Sequence, residues 1–163
     1  MDRLSTNNIR LRDVAETDLA IFFQQQLDPE ASTMAAFTAK DPTDREAFMA
    51  KWEKILADEA IILRTILYGE QIAGHIVSHT WFGEPEVSYW LGKEFWGRGI
   101  ATAALAQFLE FVPTRPLYAR AVKDNIASIR VLEKCGFAIC GEDRGFANAR
   151  GEEVEELILT INI

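Results

Sequence analysis

Two glycines two positions apart, Gly97 and Gly99, stand between an aromatic-rich extended stretch and an alanine-rich run in "WLGKEFWGRGIATAALAQFLEF", residues 90–111. A helix N-terminus presents unpaired N–H groups and the positive end of the helix dipole. Glycine just before it lets an anion approach the backbone, and phosphate is the commonest such anion. Gly97-Arg98-Gly99-Ile100-Ala101-Thr102 has this form, and Arg98 adds positive charge. The same spacing also suits a plain turn that links a strand to a helix. A dinucleotide fingerprint fits poorly, because it needs a third glycine and an acid about 20 residues on, at the first turn of a βαβ unit. Thr102 occupies that third position, the glycines follow three strands, and Asp124 alone is a weak ribose partner.

Other residues able to do chemistry are few. Glu86 opens "EVSYWLG", as a general base or as a solvated carboxylate at a strand end. His75 and His79 share one face of a strand, but a histidine base needs a partner to orient its ring, and the sequence names none. Cys135 and Cys140 are the only cysteines. No His or Cys joins them at zinc spacing, so no metal site is expected and both read as reduced, partly buried packing residues.

The elements that must position these groups follow from pattern. "NNIRLRDV" alternates as a first strand, and "ETDLAIFFQQQ" places Leu19, Phe22 and Phe23 on one helical face. "DPTDREAFMAKWEKILAD" reads as a helix, with Thr43 and Glu46 at capping-box spacing and Phe48, Trp52, Ile55 and Leu56 repeating at helical intervals. A meander of "AIILRTILY", "QIAGHIVSHTWF" and "EVSYWLG" turns at Gly69-Glu70 and at Gly83-Glu84-Pro85. A helix from about Arg98 to Val112 buries Ala101, Leu105, Phe108 and Val112, and Pro113 and Pro116 end it. "LYARAV" is a strand. "NIASIRVLEKC" is a helix with Ile126, Ile129 and Leu132 inward, stopped at Gly136. A closing hairpin turns at "ANARG". The expected order is β-α-α-β-β-β-α-β-α-β-β, an α+β fold with helices on a mainly antiparallel mixed sheet, in one domain over residues 1–163.

The chain of 163 residues carries 17 basic and 25 acidic residues, a formal net charge of −8. That balance opposes non-specific nucleic-acid binding, which relies on clustered Lys and Arg. No apolar run nears the roughly 20 residues of a membrane span. The N-terminus also lacks the layout of a secretory signal, so the expectation is a cytoplasmic protein without membrane or nucleic-acid partners.

"YWLGKEFWGRGIATAAL" resembles the acyl-CoA loop of the GNAT superfamily of N-acetyltransferases, whose signature is Q/R-x-x-G-x-G/A; Trp96 stands in place of the usual Gln or Arg, as is typical of the RimJ/RimL-like branch. "KDNIASIRVLEKCGF" is similar to that branch's N-x-x-S-x-x-v-l-e-k-x-G-F element, and "IRLRDVAETDLAIFF" resembles its first strand and helix. The resemblance covers essentially the whole chain.

It implies acetyl-CoA as co-substrate and no metal. Residues Gly97, Arg98, Gly99, Ile100, Ala101 and Thr102 would hold the coenzyme A pyrophosphate, chiefly by backbone amides. The pantetheine arm would lie beside the fourth strand with the backbone of Leu91 as partner, and Asn125 would contact the thioester end. Asn125 is equally suited to cap the helix after it. Near Trp90 or Leu91 a backbone N–H would polarise the carbonyl. The branch often carries a glutamate at Glu86, the expected base. The family's usual tyrosine acid maps onto Leu132, which leaves Ser128 as the substitute acid or as a helix-face hydroxyl with a binding role; Tyr89 and Tyr118 are further alternatives. Trp81, Phe82 and Trp90 would line an acceptor cleft. The implied acceptor is a primary amine, on a protein or peptide N-terminus or on a small molecule. The last two strands often form the acceptor site or a homodimer contact in this family. The alternative function is a non-catalytic acyl-CoA-binding sensor or interaction domain, which the missing tyrosine would suit.

Overall fold

The computed structural model describes residues 8–81 and 83–162. Phe82 and the side chain of Trp81, expected at the acceptor cleft, lie outside what is described. The chain forms β1 (Ile9–Arg12), α1 (Leu19–Gln26), α2 (Pro29–Ala35), α3 (Arg45–Ala57), β2 (Ile62–Tyr68), β3 (Gln71–Trp81), β4 (Glu84–Leu91), α4 (Ile100–Phe111), β5 (Leu117–Val122), α5 (Ile126–Lys134), β6 (Ala138–Ala147) and β7 (Glu152–Ile161). The seven strands make one sheet in the order β1-β2-β3-β4-β5-β7-β6. This is the expected α+β architecture with one helix more.

Neighbouring strand residues point to opposite faces. Ile76 joins the core that α4 and α5 cover, with Ile66, Leu105, Phe108, Leu117, Leu132 and Leu159. Val77 packs with the core of the other face, built from Leu19, Phe22, Trp52 and Leu63 beneath α1 and α3. All strand pairs are antiparallel except β4 and β5, which run parallel and share a single register pair, Glu86 with Tyr118. Beyond that pair no described ladder joins them. The sheet splits there, and the split makes the site.

Several local expectations are corrected. The extra helix α2 starts where Asp28 accepts from the Ala31 N–H and Pro29 takes the first turn, a strong start signal that the sequence reading passed over. The α3 cap is Asp44, whose carboxylate accepts from the Ala47 N–H at 3.0 Å. Thr43 is diverted, donating its N–H and hydroxyl to Asp41 at 3.0 and 2.6 Å, so the capping box with Glu46 does not form. Helix α4 begins at Ile100 rather than Arg98, because Gly99 holds a left-handed φ of 77°. Ile126 is 52% exposed while Ile129 and Leu132 are buried. A three-residue spacing drifts by about 60° per step against the helix period, so a stripe centred on the last two carries Ile126 off the buried arc. Cys135 is half-buried and Cys140 exposed, so only the first matches its expected packing role.

Candidate active site

One cavity of about 1020 Å³ opens where β4 and β5 part. Residues 86–91 of β4 line it, facing Arg120, Ala121 and Val122 of β5, with α2 and the β6–β7 hairpin on one side and α4 and α5 on the other. A smaller depression between Gln24, Gln25, Asp28, Lys93 and Glu94 holds no motif residue.

Gly97, Gly99, Ile100, Ala101 and Thr102 all line the cavity. Gly97 and Gly99 take left-handed φ values of 73° and 77°, which a side chain resists. A Cβ on Gly97 would meet nothing within 4 Å, so its backbone faces open space. Arg98 does not line the cavity. Its guanidinium lies over the Tyr68 ring, 5.7 Å from the centroid. Trp96 donates its indole N–H to the Leu91 carbonyl at 3.1 Å, which ties the loop back to the end of β4. That carbonyl keeps a second lone pair for another donor. Arg130 and Lys134, four residues apart on one face of α5, also line the cavity and bring positive charge toward the glycine loop. The sequence reading missed both, although their spacing on a helix entering from the second motif was there to be seen.

Asn125 caps α5 by accepting from the Ser128 N–H at 3.2 Å and donates to the Met34 carbonyl at 3.4 Å, tying α2 to the cavity wall. Ser128 Oγ lies 3.1 Å from Tyr89 Oη, and both side chains line the cavity. Burial raises the Tyr89 pKa; the bond to Ser128 works against this and the nearby Cys135 adds to it. Leu132 is 3% exposed and packed in the core, so that helix position offers no acid.

Glu86 also lines the cavity and is 7% exposed. Burial raises its pKa; the charge and 3.4 Å bond of Arg120 act against the rise, and Glu156 adds to it. Arg120 is shared, because its Nη1 also reaches Asp143 and Glu156, each at 2.8 Å. Burial alone would lower the Arg120 pKa, but those bonds and the charge of Glu86 hold it raised. No sequence motif announced this junction of β4, β5, β6 and β7.

His75 is no base at neutral pH. Its ring sits 4.7 Å from Phe22 and 4.8 Å from Trp52, and burial, with Lys51 adding to it, pushes its pKa down to about 3. His79 is lowered as well, first by burial. Tyr118 pairs with Glu86 across the one parallel rung.

A family model described as Acetyltransferase (GNAT) domain matches residues 8–138. The chain belongs to the GNAT acetyltransferase family. A protein of Bacillus subtilis (strain 168) named "Putative ribosomal N-acetyltransferase YdaF" is 33% identical over 120 residues, 66% of this chain and 65% of that protein. The match thus spans just under two thirds of that relative's length. Among solved structures, Mycobacterium smegmatis RimJ in complex with CoA-disulfide superposes with a TM-score of 0.77 at 21% identity, covering 94% of this chain and 81% of RimJ. Spermidine N-acetyltransferase from Vibrio cholerae, in complex with CoA and spermine, also gives 0.77, at 16% identity over 94% of this chain and 96% of its own. Both share this chain's fold.

Proposed function

We propose that this GNAT protein is an acetyl-CoA-dependent N-acetyltransferase acting on a primary amine, with a peptide or protein α-amine as acceptor. The observation that carries the reading is a single cavity lined by both the left-handed glycine loop and a buried, under-bonded carboxylate. The residues fit coenzyme A. Backbone amides at Gly97 and at Gly99 to Thr102 suit the pyrophosphate, and Arg130 and Lys134 offset its charge. On the edge of β4 that faces β5, where no described rung follows Glu86, the backbone from Ser88 to Leu91 suits an extended amide-bearing arm. Acetyl-CoA supplies an activated acyl group on a thiol that can leave.

An α-amine has a pKa of about 8, against ~10.4 for lysine, so a modest base deprotonates it. Glu86, with its raised pKa, is such a base, acting directly or through a water. The B. subtilis relative is named a ribosomal N-acetyltransferase, which favours a protein acceptor. The Vibrio cholerae enzyme, bound to spermine, keeps small polyamines in view.

Titrating acetyl-CoA into the protein by calorimetry, with NADH as control, tests the cofactor assignment. Saturable binding of acetyl-CoA alone is expected, and its absence overturns the reading. An acceptor screen then compares N-terminal peptides with polyamines and amino acids; turnover of small amines alone removes the peptide preference. The second reading, a domain that binds acyl-CoA without chemistry, is favoured by the buried Leu132. It requires binding with no turnover of any amine.

A further inference from the structure

The proposed reaction needs a proton for the departing thiolate, and the helix position that commonly supplies one holds a buried leucine. A hydroxyl nevertheless stands in the cavity. Ser128 Oγ and Tyr89 Oη are 3.1 Å apart, one on α5 and the other on β4, and both face the space between those elements. We infer that Tyr89, reaching across from β4, is the proton source of this site and that Ser128 relays its proton to the leaving sulfur. The inference rests on the acetyl-transfer reading above.

A serine hydroxyl is a far weaker acid than a phenol, whose ordinary pKa is about 10. Ser128 alone would therefore have to become an alkoxide, whereas the pair ends with the charge on the phenol oxygen. The geometry fits a relay, since a hydroxyl both donates and accepts. The amine nitrogen bonds to the thioester carbonyl carbon and its excess proton leaves through Glu86. As the C–S bond breaks, sulfur takes the Ser128 proton and Ser128 takes the Tyr89 proton. Water reprotonates the phenolate. Burial keeps Tyr89 protonated between turnovers.

Three other features of the structure agree. Tyr118, the other strand tyrosine weighed from sequence, does not line the cavity. His75 and His79 both line the cavity, but burial lowers both pKa values, so each is held neutral, and His75 packs against Phe22 and Trp52. Cys135 donates to the Thr102 carbonyl at 3.5 Å and likewise does not line the cavity.

The test compares wild type with Tyr89→Phe, Ser128→Ala and the double variant. With acetyl-CoA and an accepted amine, each single change is expected to lower kcat by about 100-fold. The double variant should be little worse than either, because the two hydroxyls act as a unit. A second readout needs no turnover: the preference for coenzyme A over its desulfo analogue, measured by calorimetry, should shrink in both single variants while affinity for the desulfo form holds. Tyr89→Phe with kcat within twofold of wild type and an unchanged preference overturns the relay while leaving the acetyltransferase reading intact. A wild type that binds neither ligand overturns both. Additive losses in the double variant overturn the relay and leave two separate hydroxyls.

Discussion

Asp18 and Glu86 are both buried carboxylates, 2% and 7% exposed, and the fold treats them in opposite ways. Asp18 accepts two bonds from Arg12 at 2.7 and 2.9 Å, one from the Ala15 N–H at 2.9 Å and one from the Thr65 hydroxyl at 2.7 Å. Burial alone would raise its pKa, but the bonds and the charge of Arg12 outweigh it and hold the carboxyl below its usual range. Glu86 receives a 3.4 Å contact from an arginine that Asp143 and Glu156 hold at 2.8 Å, and there burial wins. The count and quality of donors separates a carboxylate that fastens β1 to β2 from one able to take a proton.

Removing the first group should have the largest effect. Asp18→Ala leaves the Thr65 hydroxyl and the Ala15 N–H without their shared acceptor while the part-exposed Arg12 rehydrates, and urea denaturation should show a loss of about 1–3 kcal/mol. A loss under ~1 kcal/mol would end the comparison, since Asp18 would then be no more structural than a surface acid.

Glu86→Gln should invert that result. A folded pKa above the unfolded one contributes stability at low pH that fades as pH rises through the folded value. The ionised form therefore weakens the fold at neutral pH, and glutamine should leave the urea midpoint equal or higher. Activity should fall by about 100-fold at neutral pH with acetyl-CoA affinity kept. A normal pH–rate profile in this variant would remove Glu86 as base.

His75 sharpens the contrast from the cationic side. Its pKa of about 3 lies below the usual 6.5, so as pH falls below 6.5 the unfolded chain takes a proton that the folded chain refuses. Stability is fully present above that value and should fall by roughly 1.4 kcal/mol per pH unit below it. Asp18 adds its own loss only below its usual value of 3.8. Urea midpoints at successive pH values, in wild type and His75→Phe, read this directly. The variant should show a shallower slope, and equal slopes would mean the ring is not the source.

Much of this was legible in the chain because local chemistry carried it. The glycines before α4, Asn125 before α5 and the alternation of β2 to β4 are short-range patterns, and each element formed near its expected bounds. Helix α2 was legible too in Asp28-Pro29, a signal overlooked rather than missing. Arg120 was not, because its meaning comes from Asp143 and Glu156, which reach it only once β5, β6 and β7 are paired. The Tyr89–Ser128 contact joins residues 39 apart across the split, and no periodicity encodes that. Asp18 looked like an ordinary acid in a first helical turn until β2 brought Thr65 beneath it.

The lone parallel rung between β4 and β5 also bears on how the molecule comes together in time. The β2–β3–β4 meander pairs strands across short turns, so its loops close with little entropy lost. Strand β5 instead pairs along its length with β7 and shares one ladder rung with β4, at Glu86, so its docking depends on contacts far apart in sequence. By that entropy argument the meander is expected to form first and the cleft last, an order that φ-values on β3 and β7 would check.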